Sequence, residues 1–151
     1  MKNFLLWCKI VRPQTLFASL CPVVVALLMV QRQGYEVRVW VATATALCAL
    51  ALQILSNLIN DYYDFSRGTD KKGRVGFMRA LAEGLVTKRQ MLKACLIALA
   101  VSLLLGAYLV FVGGWIILLI GVLAILFAWL YTATNHSLSY LGIADIFVFL
   151  F

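Results

Sequence analysis

The sequence has few charged residues, a single histidine and no paired cysteine motif. Charged residues make up 13% of its 151 positions, whereas soluble chains carry about 25%, so the chain cannot cover a water-facing surface. Its four cysteines show no CxxC spacing and lie far from the histidine, which argues against a zinc site or a disulfide framework. The lack of repeats and of polar residues excludes a fibrous or a disordered chain. Since 64% of the residues are hydrophobic, the composition indicates a membrane protein.

The sequence contains several long apolar runs. A bilayer core of about 30 Å needs about 20 apolar residues of helix, and four runs reach that length without an internal charge: roughly 13–31, 39–59, 94–112 and 115–133. A fifth run begins near Tyr140 and continues to the last residue, Phe151. We therefore expect an all-α, polytopic transmembrane helical bundle whose fifth helix is cut short.

The charges cluster along the chain. A net charge of +7 would suggest nucleic acid in a soluble protein, but no nucleic-acid partner is expected for a membrane chain whose basic residues gather in one loop. Eight of the 13 basic and four of the 6 acidic residues lie between positions 60 and 93. Eleven basic residues fall on the side of the N-terminus and this loop, against two on the other. The positive-inside rule then places both in the cytoplasm. We expect a multi-pass protein of the cytoplasmic (inner) membrane.

A polar stripe interrupts the end of the second apolar run. At 100° per residue, Gln53, Asn57, Asn60, Asp61 and Asp64 project to one side of a helix. Polar side chains at membrane depth point to a bundle interior or a watery cavity, and they mark functional sites. We therefore expect a site that opens toward the cytoplasm.

The stripe and the residues after it supply only oxygen ligands. Asp61, Asp64 and Asp70 lie within ten residues beside Asn60, without histidine or cysteine, which favours a hard cation such as Mg²⁺. Magnesium is commonly shared between one or two carboxylates and a substrate phosphate, and the lysines and arginines downstream suit the remaining phosphate oxygens. The pattern predicts a diphosphate site at a membrane surface. The alternative is that the acidic residues are solvated loop charges and the basic ones anchor the chain on anionic lipid.

The run Asn60-Asp61-Tyr62-Tyr63-Asp64 resembles the first aspartate-rich motif, NDxxDxxxD, of the UbiA superfamily of intramembrane prenyltransferases. Gly68 stands where that motif has its last aspartate, and Asp70 follows two residues later. This GxD variant is similar to the branch that acts on 1,4-dihydroxy-2-naphthoate in menaquinone biosynthesis. Three further segments resemble that branch in the same order: Arg12-Pro13-x-Thr15-Leu16 with Pro22, the segment 79–87, and the segment 140–145.

The resemblance implies a nine-helix bundle around a central cavity, with a second aspartate-rich motif in its later half. Residues 1–151 would be the N-terminal part of one such domain, about four and a half helices, and inactive alone. It implies Mg²⁺ bound by Asp61, Asp64 and Asp70, with Asn60 positioning these ligands. The resemblance also implies that the diphosphate is bound by Asn60, Lys71, Lys72 and Arg79. The catalytic residues that it implies are Asp61, Asp64 and Arg79.

The implied reaction joins a polyprenyl diphosphate to an aromatic acceptor within membrane lipid. With 1,4-dihydroxy-2-naphthoate as acceptor, the product forms with loss of carbon dioxide. Other acceptors of the superfamily stay open: 4-hydroxybenzoate, homogentisate or a tetrapyrrole precursor. His136 is interpreted as a solvated loop residue, and Asp145 either caps the fifth helix or contacts substrate.

Two rival classes differ from this interpretation. A non-catalytic transporter or channel subunit would need ionisable residues deeper within its helices, whereas these charges gather at one membrane face. A CDP-alcohol phosphotransferase also uses an aspartate-rich helix with metal, but it needs a DGxxAR-type run, which the sequence does not contain.

Overall fold

The computed structural model describes residues 2–68 and 78–132. In these ranges the chain forms five helices and no strand, which confirms the predicted all-α class. The helices are α1 (Lys2–Ile10), α2 (Pro13–Arg32), α3 (Val39–Ser66), α4 (Lys88–Gly113) and α5 (Trp115–Thr132). The fifth apolar run, with His136 before it and Asp145 within it, lies outside the described residues.

Helices α2 to α5 match the four predicted apolar runs. By length and composition, α2, α3 and α4 could each cross a membrane. Helix α3 continues beyond the apolar run 39–59 to Ser66, so the whole Asn60–Asp64 motif is helical, in agreement with the predicted stripe. Helix α1 was not predicted as a separate element, because its nine residues are far fewer than the about 20 that cross a bilayer.

Local signals set the helix boundaries. Arg12 adopts a left-handed conformation with φ of 57° between α1 and α2, and Pro13 occupies the first turn of α2, where its missing N–H is not needed. A capping box begins α4: Thr87 Oγ1 accepts a hydrogen bond from the Gln90 N–H at 3.2 Å, and Gln90 Oε1 accepts one from the Thr87 N–H at 2.8 Å. These signals fix the residues at which α2 and α4 begin, and both of these helix starts lie near the C-terminal end of α3.

Helix α3 is the centre of the described structure and contacts α2, α4 and α5. The buried core lies toward its C-terminal end, where α1, the segment 80–86 and the first turns of α4 pack against it. The core residues are Ile10, Leu55, Leu58, Ala80, Leu81, Val86, Met91, Cys95 and Ala98. The polar end of α3 is therefore also the best-packed part of the described chain.

The directions of α2, α3 and α4 place the basic residues at two opposite ends of these helices. Helix α2 finishes at Arg32 and α3 begins after Arg38, so both of these arginines lie at the end away from the core. The end of α3 and the start of α4 lie together at the opposite end, hereafter the site end, with Arg67, Lys88 and Arg89.

Candidate functional site

The last three turns of α3 place the polar residues of the predicted stripe against the rest of the chain. Asp61 is 2% exposed and Asn57 is 4% exposed, while Asn60 and Asp64 are half-buried. A carboxylate this deeply buried is costly unless it is hydrogen-bonded, paired or bound to a metal. The helix faces its polar stripe inward, as predicted.

Arg79 returns to α3 from the segment that follows the aspartate-rich motif. Its Nη2 lies 3.1 Å from Asp64 Oδ2, and the two side chains are 15% and 19% exposed. Partial burial shields this pair from solvent and salt, so it is stronger than a typical surface ion pair. The structure thus brings together two of the residues predicted to be catalytic, although 15 positions separate them in sequence.

A single tight turn holds Arg79 in place. Ala80 and Leu81, directly after it, are 0% and 3% exposed and anchor the segment in the core. The turn ends at Gly84, whose φ of 71° suits glycine. Two hydrogen bonds close it, from the Leu85 N–H to the Ala80 carbonyl at 2.9 Å and from the Gly84 N–H to the Leu81 carbonyl at 3.1 Å. Burial of the two apolar residues therefore fixes the position of the arginine.

Asn57 connects α3 to the junction between α1 and α2. Its Nδ2 donates to the Val11 carbonyl at 3.1 Å and to Thr15 Oγ1 at 2.8 Å. Gln53 Nε2 donates to Asn57 Oδ1 at 3.4 Å. This role in packing was missed from the sequence, which placed Asn57 in the polar stripe without identifying its partners on α1 and α2.

Two basic residues lie over aromatic rings at the site end. The Arg67 guanidinium is 5.8 Å from the centre of the Tyr63 ring, and Lys88 Nζ is 5.3 Å from the centre of the Phe65 ring. The first contact joins positions four apart on one helix face, a spacing visible in the sequence. The second joins α3 to α4 and could not be found without the fold.

The predicted site residues divide into two groups. Asn60, Asp61, Asp64 and Arg79 lie at the site end within the described chain, whereas Asp70, Lys71 and Lys72 lie outside it. Among described residues, no group of three or more histidine, cysteine or acidic side chains could hold a metal ion. The carboxylates of Asp61 and Asp64 and the side-chain amide oxygen of Asn60 are still suitable ligands for Mg²⁺. This cation completes its coordination shell with oxygens from water and phosphate.

Comparisons with known proteins agree with this arrangement. The family model described as "UbiA prenyltransferase family" matches residues 19–151. The 1,4-dihydroxy-2-naphthoate octaprenyltransferase of Escherichia coli is 35% identical over 96% of this chain and 49% of its own length. The protein of that name from Mycobacterium tuberculosis is 35% identical over 100% and 51%, and that from Bacillus subtilis is 30% identical over 95% and 45%.

The chain thus spans about half the length of the curated relatives it matches. No solved structure matches it. Its three long apolar helices and the membrane character of the matched family make it a multi-pass membrane protein. The match covers most of the sequence, and the chain belongs to the UbiA prenyltransferase family.

Proposed function

We propose that the complete gene product carrying these residues transfers a polyprenyl group from an allylic diphosphate to 1,4-dihydroxy-2-naphthoate, with loss of carbon dioxide, in menaquinone biosynthesis. The names of the relatives support the acceptor and the donor class. The observation that carries the proposal is the Arg79–Asp64 pair at the end of a membrane helix. It sets an anion-binding guanidinium beside a cation-binding carboxylate, the two kinds of group that a metal-bound diphosphate requires.

Members of the family generally depend on a divalent metal. We propose that Asp61 and Asp64 hold Mg²⁺, with Asp70 as a third ligand and Asn60 positioning the carboxylates. A cation held by these residues would neutralise the diphosphate and make it a better leaving group.

In this proposal Arg79 binds Asp64 before the donor substrate arrives and the diphosphate afterwards. The planar guanidinium that now donates to Asp64 matches the oxygens of a phosphate equally well. When the donor substrate binds, Arg79 would donate to the diphosphate, and Asp64 would turn its carboxylate to the metal. Lys71 and Lys72 would bind the remaining oxygens. The positive charges then stabilise the negative charge that grows on the departing diphosphate.

The reaction proceeds by breaking one C–O bond and forming one C–C bond. The bond between the allylic carbon and the diphosphate breaks, and its electron pair leaves with the diphosphate. The electron-rich ring attacks the allylic cation through the carbon that carries the carboxylate. The carboxylate then leaves as carbon dioxide, and its bonding electrons restore aromaticity. A helical bundle keeps water away from the cation.

We place the site end at the cytoplasmic face of the inner membrane. Arg67, Arg79, Lys88 and Arg89 lie at or next to this end, whereas only Arg32 and Arg38 are the basic residues at the far end within the described chain. This distribution supports the orientation through the positive-inside rule. Fusing a reporter that is active only in the periplasm after Gly34 should give signal, and the same fusion before Lys2 should give none.

The reaction is tested with the complete gene product in membranes. Initial rates of prenyl transfer are measured with 1,4-dihydroxy-2-naphthoate and with 4-hydroxybenzoate, each with Mg²⁺ and with a chelator, and carbon dioxide release is followed. We expect magnesium-dependent transfer and carbon dioxide release with the naphthoate alone. Transfer to 4-hydroxybenzoate instead would replace the acceptor but retain the diphosphate site. Absence of magnesium-dependent transfer to either acceptor would reject the proposed reaction.

A further inference from the structure

An apolar groove of about 550 Å³ runs between α1, α3 and α4. One wall is formed by Trp7 of α1 and by Val11, directly after α1, and the floor is formed by α3 and α4. The residues that line it on α3 and α4 are Ala51, Ile54, Leu58, Gln90, Lys93, Ala94, Ile97, Ala98 and Val101. None of the residues proposed for the diphosphate site is among them.

The groove and the aspartate-rich motif share α3 but no lining residue. At 100° per residue, Leu58 in the groove is about 160° around the helix from Asn60 and about 120° from Asp64. Asp61 is closer, at about 20° around the helix from Ile54 in the groove. Asn60 and Asp64 therefore project away from the groove, whereas Asp61 is buried next to it.

The depth of the groove matches one leaflet of a bilayer. From Gln90 to Val101 the α4 wall rises about 16 Å at 1.5 Å per residue, which is about half of a hydrocarbon core of about 30 Å. Since α3 and α4 are long and apolar enough to cross a membrane, a groove between them lies at the depth of lipid acyl chains.

The polar groups of the groove all lie toward the site end. Lys93 and Gln90 are within the first two turns of α4, whereas the deeper α4 residues of the groove are alanine, isoleucine and valine. Trp7, a residue type that prefers the headgroup level, lines the wall formed by α1. No carboxylate is present among the residues that line the groove. One positive charge at the mouth of an apolar groove complements an amphipathic anion.

We propose that this groove binds an anionic phospholipid from the leaflet at the site end. One acyl chain lies along Ile54, Ile97 and Val101, and the headgroup phosphate accepts hydrogen bonds from the Lys93 ammonium and the Gln90 amide. The isoprenoid donor is not the proposed occupant, because the residues proposed to hold its diphosphate, Asp61 and Asp64, do not line the groove. This inference goes beyond the proposed reaction and does not depend on it.

The test uses Trp7 as a reporter of what occupies the groove. The complete gene product is reconstituted in phosphatidylcholine vesicles, and phosphatidylglycerol or phosphatidylcholine with brominated acyl chains is added as a quencher. Subtracting the signal of the Trp7→Phe variant isolates the fluorescence of Trp7. We expect half-maximal quenching at about fivefold less brominated phosphatidylglycerol than brominated phosphatidylcholine, the preference that one lysine near the headgroups provides.

Matched variants separate the groove from general surface charge. Lys93→Gln should abolish the preference and Lys93→Arg should retain it. Arg89→Gln should also retain it, because Arg89 is an exposed cation on the same helix that does not line the groove. Filling the groove with Ala94→Phe should weaken quenching by both lipids, whereas Ala100→Phe, at an exposed position outside it, should not.

Three results would overturn the proposal. Equal quenching by the two lipids would remove the headgroup preference, and an equal loss in Arg89→Gln and Lys93→Gln would assign it to surface charge. Absence of quenching by either lipid would mean that another part of the protein covers the groove. Relief of quenching by added geranylgeranyl diphosphate would assign the groove to the isoprenoid donor.

Discussion

The site end and the far end of the α3–α4 pair differ in how the chain buries its residues. At the site end, large side chains such as Leu55, Leu58 and Met91 form a core with α1 and the segment 80–86. At the far end, the first three turns of α3 contain one buried residue, Ala44, and α2 contains none. The chain thus concentrates its own packing where charged groups have to be held.

The far end uses small residues instead. Ser102 is buried, its Oγ donates to the Ala98 carbonyl at 2.8 Å, and Cys48 Sγ donates to the Ser102 carbonyl at 3.8 Å across the two helices. Small residues let membrane helices approach closely, because apolar burial gives little gain where lipid is as apolar as the side chains. The packing of the far end therefore suits a lipid environment, whereas the packing of the site end suits precise placement of charged groups.

The largest expected effect is on catalysis at the site end. Replacing Asp64 by asparagine in the complete gene product should lower the rate of prenyl transfer by more than about a hundredfold, because the proposed metal ligand and the charged partner of Arg79 are both lost. Glu36→Gln, an exposed acid at the far end, should leave the rate unchanged. Initial rates at saturating Mg²⁺ measure both. Equal rates in the two variants would remove the functional distinction between the ends.

A second comparison concerns stability. Met91 is 0% exposed in the core at the site end, whereas Leu104 is 74% exposed further along α4. Met91→Ala should lower the free energy of unfolding by about 2–5 kcal/mol, since it leaves a cavity. Leu104→Ala should change it much less. Unfolding in detergent by titration with a denaturing surfactant checks this, and similar losses would show that both ends depend equally on packing.

The hydrogen bonds of Asn57 give a third, smaller effect. Asn57→Ala removes the donor to the Val11 carbonyl and to Thr15 Oγ1, and should lower the free energy of unfolding by about 1–3 kcal/mol. Gln14→Ala, at an exposed position on α2, is the control. Faster amide hydrogen exchange near the α1–α2 junction should accompany the loss in Asn57→Ala. Unchanged exchange there would show that other contacts hold this junction against α3.

The smallest effect is expected from the cap of α4. Thr87→Ala removes the acceptor of the Gln90 N–H and should reduce stability by about 1 kcal/mol, with faster hydrogen exchange at the first turn of α4. Thr87→Ser keeps the hydroxyl and should behave like the original protein. If the serine variant loses as much as the alanine variant, the capping box does not stabilise the site end.

The long helices and the polar stripe could be predicted from the sequence, because apolar runs and a 100° repeat are local properties. The helix was predicted as far as Asp64 from the polar stripe, and the structure continues it two residues further, to Ser66. The break before α2 had a signal that was not used: a residue that precedes proline, here Arg12, disfavours the right-handed helical conformation.

Contacts between distant segments could not be predicted in this way. The Arg79–Asp64 pair depends on a turn anchored by buried Ala80 and Leu81. The hydrogen bonds from Asn57 to the α1–α2 junction depend on how three helices meet. Neither has a repeat or a spacing in the sequence that would identify the partner. The residue types of the candidate site were therefore predictable, and their partners were not.

The length of α3 has a consequence for an amphiphilic substrate. Its 28 residues extend about 42 Å, about 12 Å more than the hydrocarbon core. If its far end starts near one boundary, the excess carries the aspartate-rich turns into the headgroup layer at the other. A highly charged diphosphate can then stay hydrated while its isoprenoid tail remains dissolved in the membrane. If the chain binds the proposed diphosphate, the length of α3 therefore avoids the large free-energy penalty of moving that charge into hydrocarbon.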